Sequence, residues 1–463
     1  MQHTLSTSIM DEFADVALGD KRLTKRLGQL AAAFADQPAA AIPEATGNWA
    51  QACAAYRFLN NERVTASALL RSHTARTLQR AVDHPLMLAV TDTTSLNYSG
   101  RPHTTGLGPI GNNADKTTGL LLHTLLAFTP DAVPLGVLDA QIWARDPAQF
   151  GNNRQRNRRP LADKESAKWL RSYEALAAHA SATPQTRWVQ IADREADLYD
   201  LFERAVAQPS GPALLIRAQH NRGVDGLKRK LFAHLARAPR AGALLVQVPA
   251  KPGRRARTAP LTVRFCDVRL AAPCLKAKRP PLTIWAIEAR EEHPPRGAQP
   301  LHWRLLSTLA VSTLEEAVEK IRWYCVRWGI EVFHKVLKSG CAVEALQLES
   351  AARLERCVTI KLVVAWQTMA LCKLGREQPK AKINELLEET AWRVLVAVTH
   401  RDRPHPRGVP RVSEAVQWIG RLGGHLGRRG DGAPGPLTLA RGLERLHDIT
   451  VGWELAHGIK NCA

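Results

Sequence analysis

The spacing of apolar residues changes period along the chain, and the changes divide it into regions. Residues 1–75 carry a helical period. In LGDKRLTKRLGQLAAAFAD the side chains of Leu23, Leu27, Leu30, Ala31 and Phe34 fall on one face. GNWAQACAAYRFLNN repeats the amphipathic theme with Trp49, Tyr56 and Arg57. From LMLAVTD onward the runs become short and continuous, as buried strands are. LMLAVTD and RWVQIAD read as strands that end in an acid, Asp92 and Asp193. TGLLLHTLLAFT, AVPLGVLDAQIWA and ALLIRAQ are further strands, while ESAKWLRSYEALAAHA and EADLYDLFERAVA are helices. Strands joined first by turns and later by helices predict an α/β mixed sheet with helices packed on it.

Residues 220–300 interrupt this pattern. VQVPA, LTVRFCDVRL and LTIWAIEAR read as strands, separated by the basic turns KPGRRART and PCLKAKRPP. They predict an all-β insertion at about 220–300. HWRLLST returns to the main sheet. Ser312-Thr313-Leu314-Glu315 reads as a capping box that opens a long helix, and Gly340 as its stop. From about residue 375 helices flank two loops, RDRPHPRGVP and GRRGDGAPGP. Three units follow: 1–75, 76–372 with its insertion, and a helical 373–463.

Within the long helix, IRWYCVRWGIEVFHKVLKSG sets Tyr324, Arg327, Glu331 and Lys338 on one stripe at about 100° per residue. Val326, Ile330, Phe333 and Leu337 take the opposite side. One face suits a core; the other surrounds a carboxylate with groups that bind phosphate. Arg offers a bidentate fork and Lys a point charge. The plainer alternative is a solvated face with ion pairs such as Glu331–Lys335.

Charge sharpens that choice. The 463 residues carry a formal net charge of +21, which points to a polyanionic partner, nucleic acid first. The 45% hydrophobic content is that of a globular protein, and no apolar run in the sequence reads as a bilayer span. The N-terminus lacks a basic-then-apolar signal pattern, so a cytoplasmic location and no membrane partner are expected. Eight scattered cysteines form no C-x2-C pair, which argues against both a zinc site and a disulfide framework.

Asp92, Asp193 and Glu331 are the acids best placed for chemistry. Brought together they would repel one another unless a divalent cation neutralised them. Oxygen donors of this kind select Mg2+ or Mn2+, and a pair of such ions supports phosphoryl transfer. Taken singly, Asp92 could cap a turn and Asp193 could pair with Arg194. Glu195 and Asp197 are read as structural, Asp197 as the first-turn acid of the following helix.

The Tyr324–Arg327–Glu331–Lys338 spacing resembles the YREK signature of bacterial insertion-sequence transposases that move DNA by cut and paste. VTDTTSLNYSG and IADREADLYDLF resemble the surroundings of that family's catalytic aspartates. ALGDKRLTKRL with AAYRFLNN resembles its DNA-binding domain, and RLGGHLGRRG its dimerisation region. DKESAKWL is also family-like; the Arg-rich stretch before it, around 152–159, is peculiar to this chain. The resemblance implies a ribonuclease-H-like catalytic core with a β insertion, between helical N- and C-terminal domains. Asp92, Asp193 and Glu331 would hold two Mg2+ or Mn2+ ions. Tyr324, Arg327 and Lys338 would bind phosphates of the cleaved end, with Arg217 as a further phosphate contact. Trp303 would stack a flipped base, or else serve as a core tryptophan on its strand. Lys21, Arg22, Lys25 and Arg26 would grip transposon ends. The partners would be double-stranded DNA, both transposon ends and target, and a second copy in a synaptic dimer at the bacterial nucleoid.

Two other readings stay open: a DNA-binding relative or inhibitor without chemistry, and a metal-dependent nuclease that cuts but does not join.

Overall fold

The structure, a computed structural model, describes residues 9–458 apart from 112–115, 149, 152–159, 249–255, 274–278, 378, 386, 401–407 and 429. The Arg-rich stretch at 152–159, the centres of both basic turns and most of the RDRPHPRGVP loop lie outside the described residues.

The N-terminal region is helical: α1 (Ile9–Glu12), α2 (Lys21–Asp36), α3 (Ile42–Thr46), α4 (Trp49–Leu59) and α5 (Ala66–Ala81). Three of these starts are capped by side chains. Asp20 accepts from the Arg22 N–H, Asn48 from Gln51 and Thr65 from Ala68. The apolar stripe of α2 is buried at Leu27, Leu30, Ala31 and Phe34, with Leu23 half-buried. Helix α5 runs across residue 75 without a break.

The strands follow: β1 (Leu86–Asn97), β2 (Gly108–Pro109), β3 (Thr118–Phe128) and β4 (Pro134–Trp143). Then come α6 (Ala167–Ala182), β5 (Arg187–Ala192), α7 (Tyr199–Val206), β6 (Ala213–Arg217) and α8 (Leu231–Leu235). Next are β7 (Arg240–Val248), β8 (Arg257–Leu270), β9 (Leu282–Arg290) and β10 (His302–Ser307). All ten strands form one mixed sheet, in the order β2-β3-β1-β5-β6-β10-β9-β8-β7, with β4 also on β3. β1, β3 and β4 are antiparallel, whereas β5 and β6 run parallel to β1. The stretch expected to be an all-β insertion contains the short helix α8, and its strands extend the main sheet. β10 bridges the two halves by pairing with both β6 and β9.

The long helix after β10 is segmented into α9 (Leu314–Val326), α10 (Trp328–Lys335) and a π turn over Val336–Gly340. Its cap lies one residue later than the sequence suggested. Thr313 accepts from the Glu316 N–H, and Glu316 reaches back to the Ser312 N–H. Then α11 (Ala351–Glu377), α12 (Glu389–Thr399), α13 (Val412–Leu422) and α14 (Pro436–Ala456) complete the chain. Among the described residues α11 alone is long and apolar enough to cross a membrane, but that stretch is 89% buried within the protein. It belongs both to the core of the sheet and N-terminal helices and to the core of α12–α14. Within it, Lys361 is fully buried. Its Nζ donates to the carbonyls of Pro38 (2.8 Å), Ala40 (3.2 Å) and Cys341 (3.1 Å). A buried ammonium requires such partners. One side chain thus joins the end of α2 to the residue that follows the π turn.

Candidate active site

The two-residue period of the strands decides what each face carries. Leu88, Val90 and Leu96 of β1, Val189 and Ile191 of β5, and Leu215 of β6 share a core with Ile330 and Phe333 of α10. By the same alternation Asp92, Asp193, Arg217 and Trp303 point to that face. The opposite face packs on α6–α8 through residues such as Trp169, Ala192, Phe202 and Ile216.

Asp92 does not end its strand. β1 continues to Asn97, paired throughout with β3, but its pairing with β5 stops at Val90. β1 and β5 therefore part just before Asp92, and the crevice opens on that side. Asp193 follows the last residue of β5 and caps a single 3-10 turn, accepting from the Glu195 N–H at 2.9 Å. The turn-capping role considered for Asp92 thus falls to Asp193.

Arg327 joins two of the acids. Its Nη1 lies 3.3 Å from Asp92 Oδ2, and its Nη2 is hydrogen-bonded to Glu331 Oε1. Burial and the charge of Asp193 push the Asp92 carboxyl up to about 6; the Thr93 N–H and Arg327 offset part of this, and Glu331 adds to it. Burial works against the Arg327 charge, but Tyr324, Glu331 and Asp92 outweigh it and hold the guanidinium above its ordinary value. Burial also raises the Tyr324 phenol, against the pull of Arg327 and Arg217, and lowers Arg217. Tyr324 lies beneath Arg327, 5.8 Å from guanidinium to ring centroid, and 6.1 Å from the ring of Trp303. Trp303 is half-buried, and Arg217 donates to the His302 carbonyl at 3.1 Å.

Seven of the expected residues thus meet on one face: Asp92, Asp193, Glu331, Tyr324, Arg327, Arg217 and Trp303. Lys338 does not join them. It sits in the π turn, about 10 Å along the helix axis from Glu331. Its Nζ is 3.8 Å from Glu344, which accepts from the Asn97 N–H at the far end of β1. Among the described residues no three acids, histidines or cysteines are close enough to hold an ion as they stand. On α2, Lys21, Arg22 and Lys25 are exposed and Arg26 half-buried; Arg22 pairs with Asp20 at 3.0 Å. Trp49, at the start of α4, is 77% exposed.

Asp197 is structural, but for a different reason from the one its position suggested. It precedes α7 instead of lying in its first turn. Fully buried, it accepts from the Gln219 and His220 N–H groups (2.7 and 2.8 Å) and from Arg222 Nη2 (2.6 Å). It thereby ties the loop after β5 to the loop after β6, the two segments that carry Asp193 and Arg217. Sequence reasoning also passed over His123 and His334. Both are buried and held neutral, His334 pushed down to about 3 by burial and nearby Lys338. A lone histidine in GLLLHTLLAF signals a buried polar group, but nothing local names its partner.

Comparison with known proteins adds two independent matches. Residues 7–64 match the family described as Transposase DNA-binding. Residues 363–461 match the family described as Transposase Tn5 dimerisation domain. Together they support a Tn5-like transposase. Lys21, Arg22, Lys25 and Arg26 fall within the first matched region, whereas the candidate acids lie between the two. Among solved structures, the chain resembles a piggyBac transposase in a cryo-EM synaptic complex with hairpin DNA, at 10% identity and a TM-score of 0.31. The resemblance covers 65% of this chain, which spans about half (52%) of that one.

Proposed function

We propose that this chain is a cut-and-paste DNA transposase of the DDE type. Its reaction centre would be Asp92, Asp193 and Glu331 on a ribonuclease-H-like core. The observation that carries this reading is the convergence of three acids, two arginines, a tyrosine and a tryptophan from four strands and one helix onto a single crevice. The strand order supports the fold reading: β4-β3-β1 antiparallel, then β5 and β6 parallel to β1.

The donor set fits Mg2+ or Mn2+. It is all carboxylate, and burial followed by the charge of Asp193 raises the Asp92 carboxyl by more than the Thr93 N–H and Arg327 offset. Asp92, Asp193 and Glu331 would hold two ions, which when bound would activate an attacking hydroxyl and stabilise the leaving oxygen. Closing the site around them requires Arg327 to leave its place between Asp92 and Glu331. The freed guanidinium would then face a backbone phosphate, with Tyr324 and Arg217 beside it. Lys338 would track the strand further along. Trp303 would stack a base displaced from the duplex. In the proposed sequence, water first cleaves one strand and leaves a 3′-OH. That hydroxyl attacks the opposite strand to form a hairpin, water opens the hairpin, and the 3′-OH joins target DNA. Each step exchanges one phosphodiester oxygen for another, so a single site serves all four.

The test uses duplexes bearing the terminal inverted repeats that this reading expects on either side of the gene. Asp92→Ala, Asp193→Ala and Glu331→Ala should each abolish Mg2+-dependent cleavage and leave end binding detectable by gel shift. Full cleavage by any one of them would remove that acid from the site. Pre-cut 3′-OH ends should give joined product; hydrolysis without joining would establish a nuclease instead.

A further inference from the structure

Asp92 and Glu331 lie on separate elements, a strand and a helix, so only packing sets the distance between them. The Arg327 bridge cannot serve once the carboxylates turn to cations. The apolar contacts around Ile330 and Phe333 hold the helix down but resist rotation weakly, because dispersion has little directionality. Among the described residues, one directional link ties this helix to the sheet beside Asp92, through the neighbouring strand β3. His334 Nε2 and Thr124 Oγ1 are 2.8 Å apart, with Thr124 fully buried and His334 nearly so.

The place of that link is informative. His334 lies three residues, about one turn, beyond Glu331 on the same helix. Thr124 is the residue of β3 paired directly with Asp92. The bond therefore ties the Glu331 helix to the rung of the sheet that carries Asp92.

The same rung is fixed from the other face. Thr91 and Thr93 flank Asp92 and point away from it, and both bond one ring, His123. Thr91 Oγ1 lies 3.0 Å from Nε2 and Thr93 Oγ1 lies 2.8 Å from Nδ1. Thr91 donates its only hydroxyl proton to the Thr124 carbonyl at 2.9 Å. Nε2 of His123 must therefore donate, and Nδ1 must accept from Thr93. The Thr93 N–H in turn donates to Asp92 Oδ1 at 2.7 Å.

We propose that His334, acting through Thr124, is a positioning residue that sets the separation and relative rotation of Asp92 and Glu331, with His123 stiffening the rung from behind. The proposal rests on the reading of these acids as cation ligands. His334 touches neither substrate nor ion. Its role lies one contact further out than that of a partner bonded to a ligand, whose loss typically lowers metal affinity or activity roughly 10–100-fold, so the low end of that range applies.

The experiment compares the full-length parent with His334→Leu, His334→Gln and Thr124→Val. Mn2+ binding is read by electron paramagnetic resonance of free Mn2+ without DNA, and cleavage is read on the terminal-repeat duplex. His334→Leu and Thr124→Val should each weaken Mn2+ binding about tenfold or more and raise the Mn2+ needed for half-maximal cleavage in step. End binding by gel shift should not change. His334→Gln, whose amide can bond Thr124, should recover most of the loss. The double variant His334→Leu/Thr124→Val should be no worse than the single ones, because one link is removed either way. Parental Mn2+ binding in His334→Leu, or a Gln variant as impaired as Leu, overturns the proposal. Should Leu not fold, Thr124→Val and Gln decide alone. A parent that binds Mn2+ but does not cut removes the transposase reading, while the Mn2+ series still judges His334. A parent that does neither overturns both.

Discussion

Asp92→Asn should make the metal-free protein more stable at neutral pH while removing its chemistry. The Asp92 carboxyl is held near 6 in place of 3.8, first by burial and then by Asp193. Between about pH 4 and 6 the native state therefore binds this proton and the unfolded chain does not. Stability falls as pH rises through that window, and the loss is complete above about pH 6. A carboxyl held near 6 corresponds to about 3 kcal/mol of destabilisation at pH 7. Asparagine keeps the shape and an oxygen for the Thr93 N–H, but not the charge beside Asp193. Equilibrium unfolding in denaturant with EDTA should show Asp92→Asn more stable than the parent at pH 7 by up to about 3 kcal/mol, with the gain gone near pH 4. Added Mg2+ should stabilise the parent and not the variant, since only a native state that binds the ion benefits. A variant no more stable than the parent at pH 7, or equally stabilised at pH 4, would refute the reasoning.

Three further outcomes follow from packing and polar contacts. A Cβ on Gly329 would stand 2.8 Å from the Phe128 ring; Gly329→Ala should therefore lift α10 off β3 and lower cleavage at least about tenfold with end binding retained. Phe128→Leu in the same chain should restore part of that activity, and full cleavage by the single variant would refute the close approach. Asp197→Ala strands Arg222 and two backbone N–H groups, so unfolding should show a loss of about 3–5 kcal/mol; a loss under about 1 kcal/mol would contradict the clamp. Lys361→Met leaves the carbonyls of Pro38, Ala40 and Cys341 without their donor and should cost about 2–3 kcal/mol by the same measurement, whereas a neutral result would mean that these carbonyls find other partners.

Much of the site was legible because strands and helices have fixed periods. The alternation in LMLAVTD and RWVQIAD puts each acid on the face of its apolar neighbours one step away. The stripe of Tyr324, Arg327 and Glu331 survives the break at Arg327, since the backbone there stays helical. Lys338 departs because, from the π turn over Val336–Gly340, its Nζ turns to Glu344, a partner that no residue-by-residue count at 100° anticipates. The end of LMLAVTD was misplaced for a related reason. The strand stops pairing on one side only, and a one-dimensional pattern does not tell two edges apart. His123, Thr124 and His334 come from segments far apart in sequence, so their partnership exists only in the folded chain. The same holds for Asp197, whose donors on Gln219, His220 and Arg222 arrive from beyond the next helix and strand.

The long buried helix α11 has a practical consequence for cutting this protein into pieces. The matched dimerisation region begins at residue 363, in the middle of Ala351–Glu377. A fragment started there inherits the second half of a helix whose first half belongs to another core. A fragment that keeps the whole helix but drops β4, α2 and α5 bares a segment with the length and apolarity of a membrane span. Either piece invites aggregation or capture by lipid. The unit of inheritance marked by sequence and the unit that stays in solution are therefore different lengths of chain, and an expression boundary belongs in the loop after the helix, with α11 kept beside β4, α2 and α5.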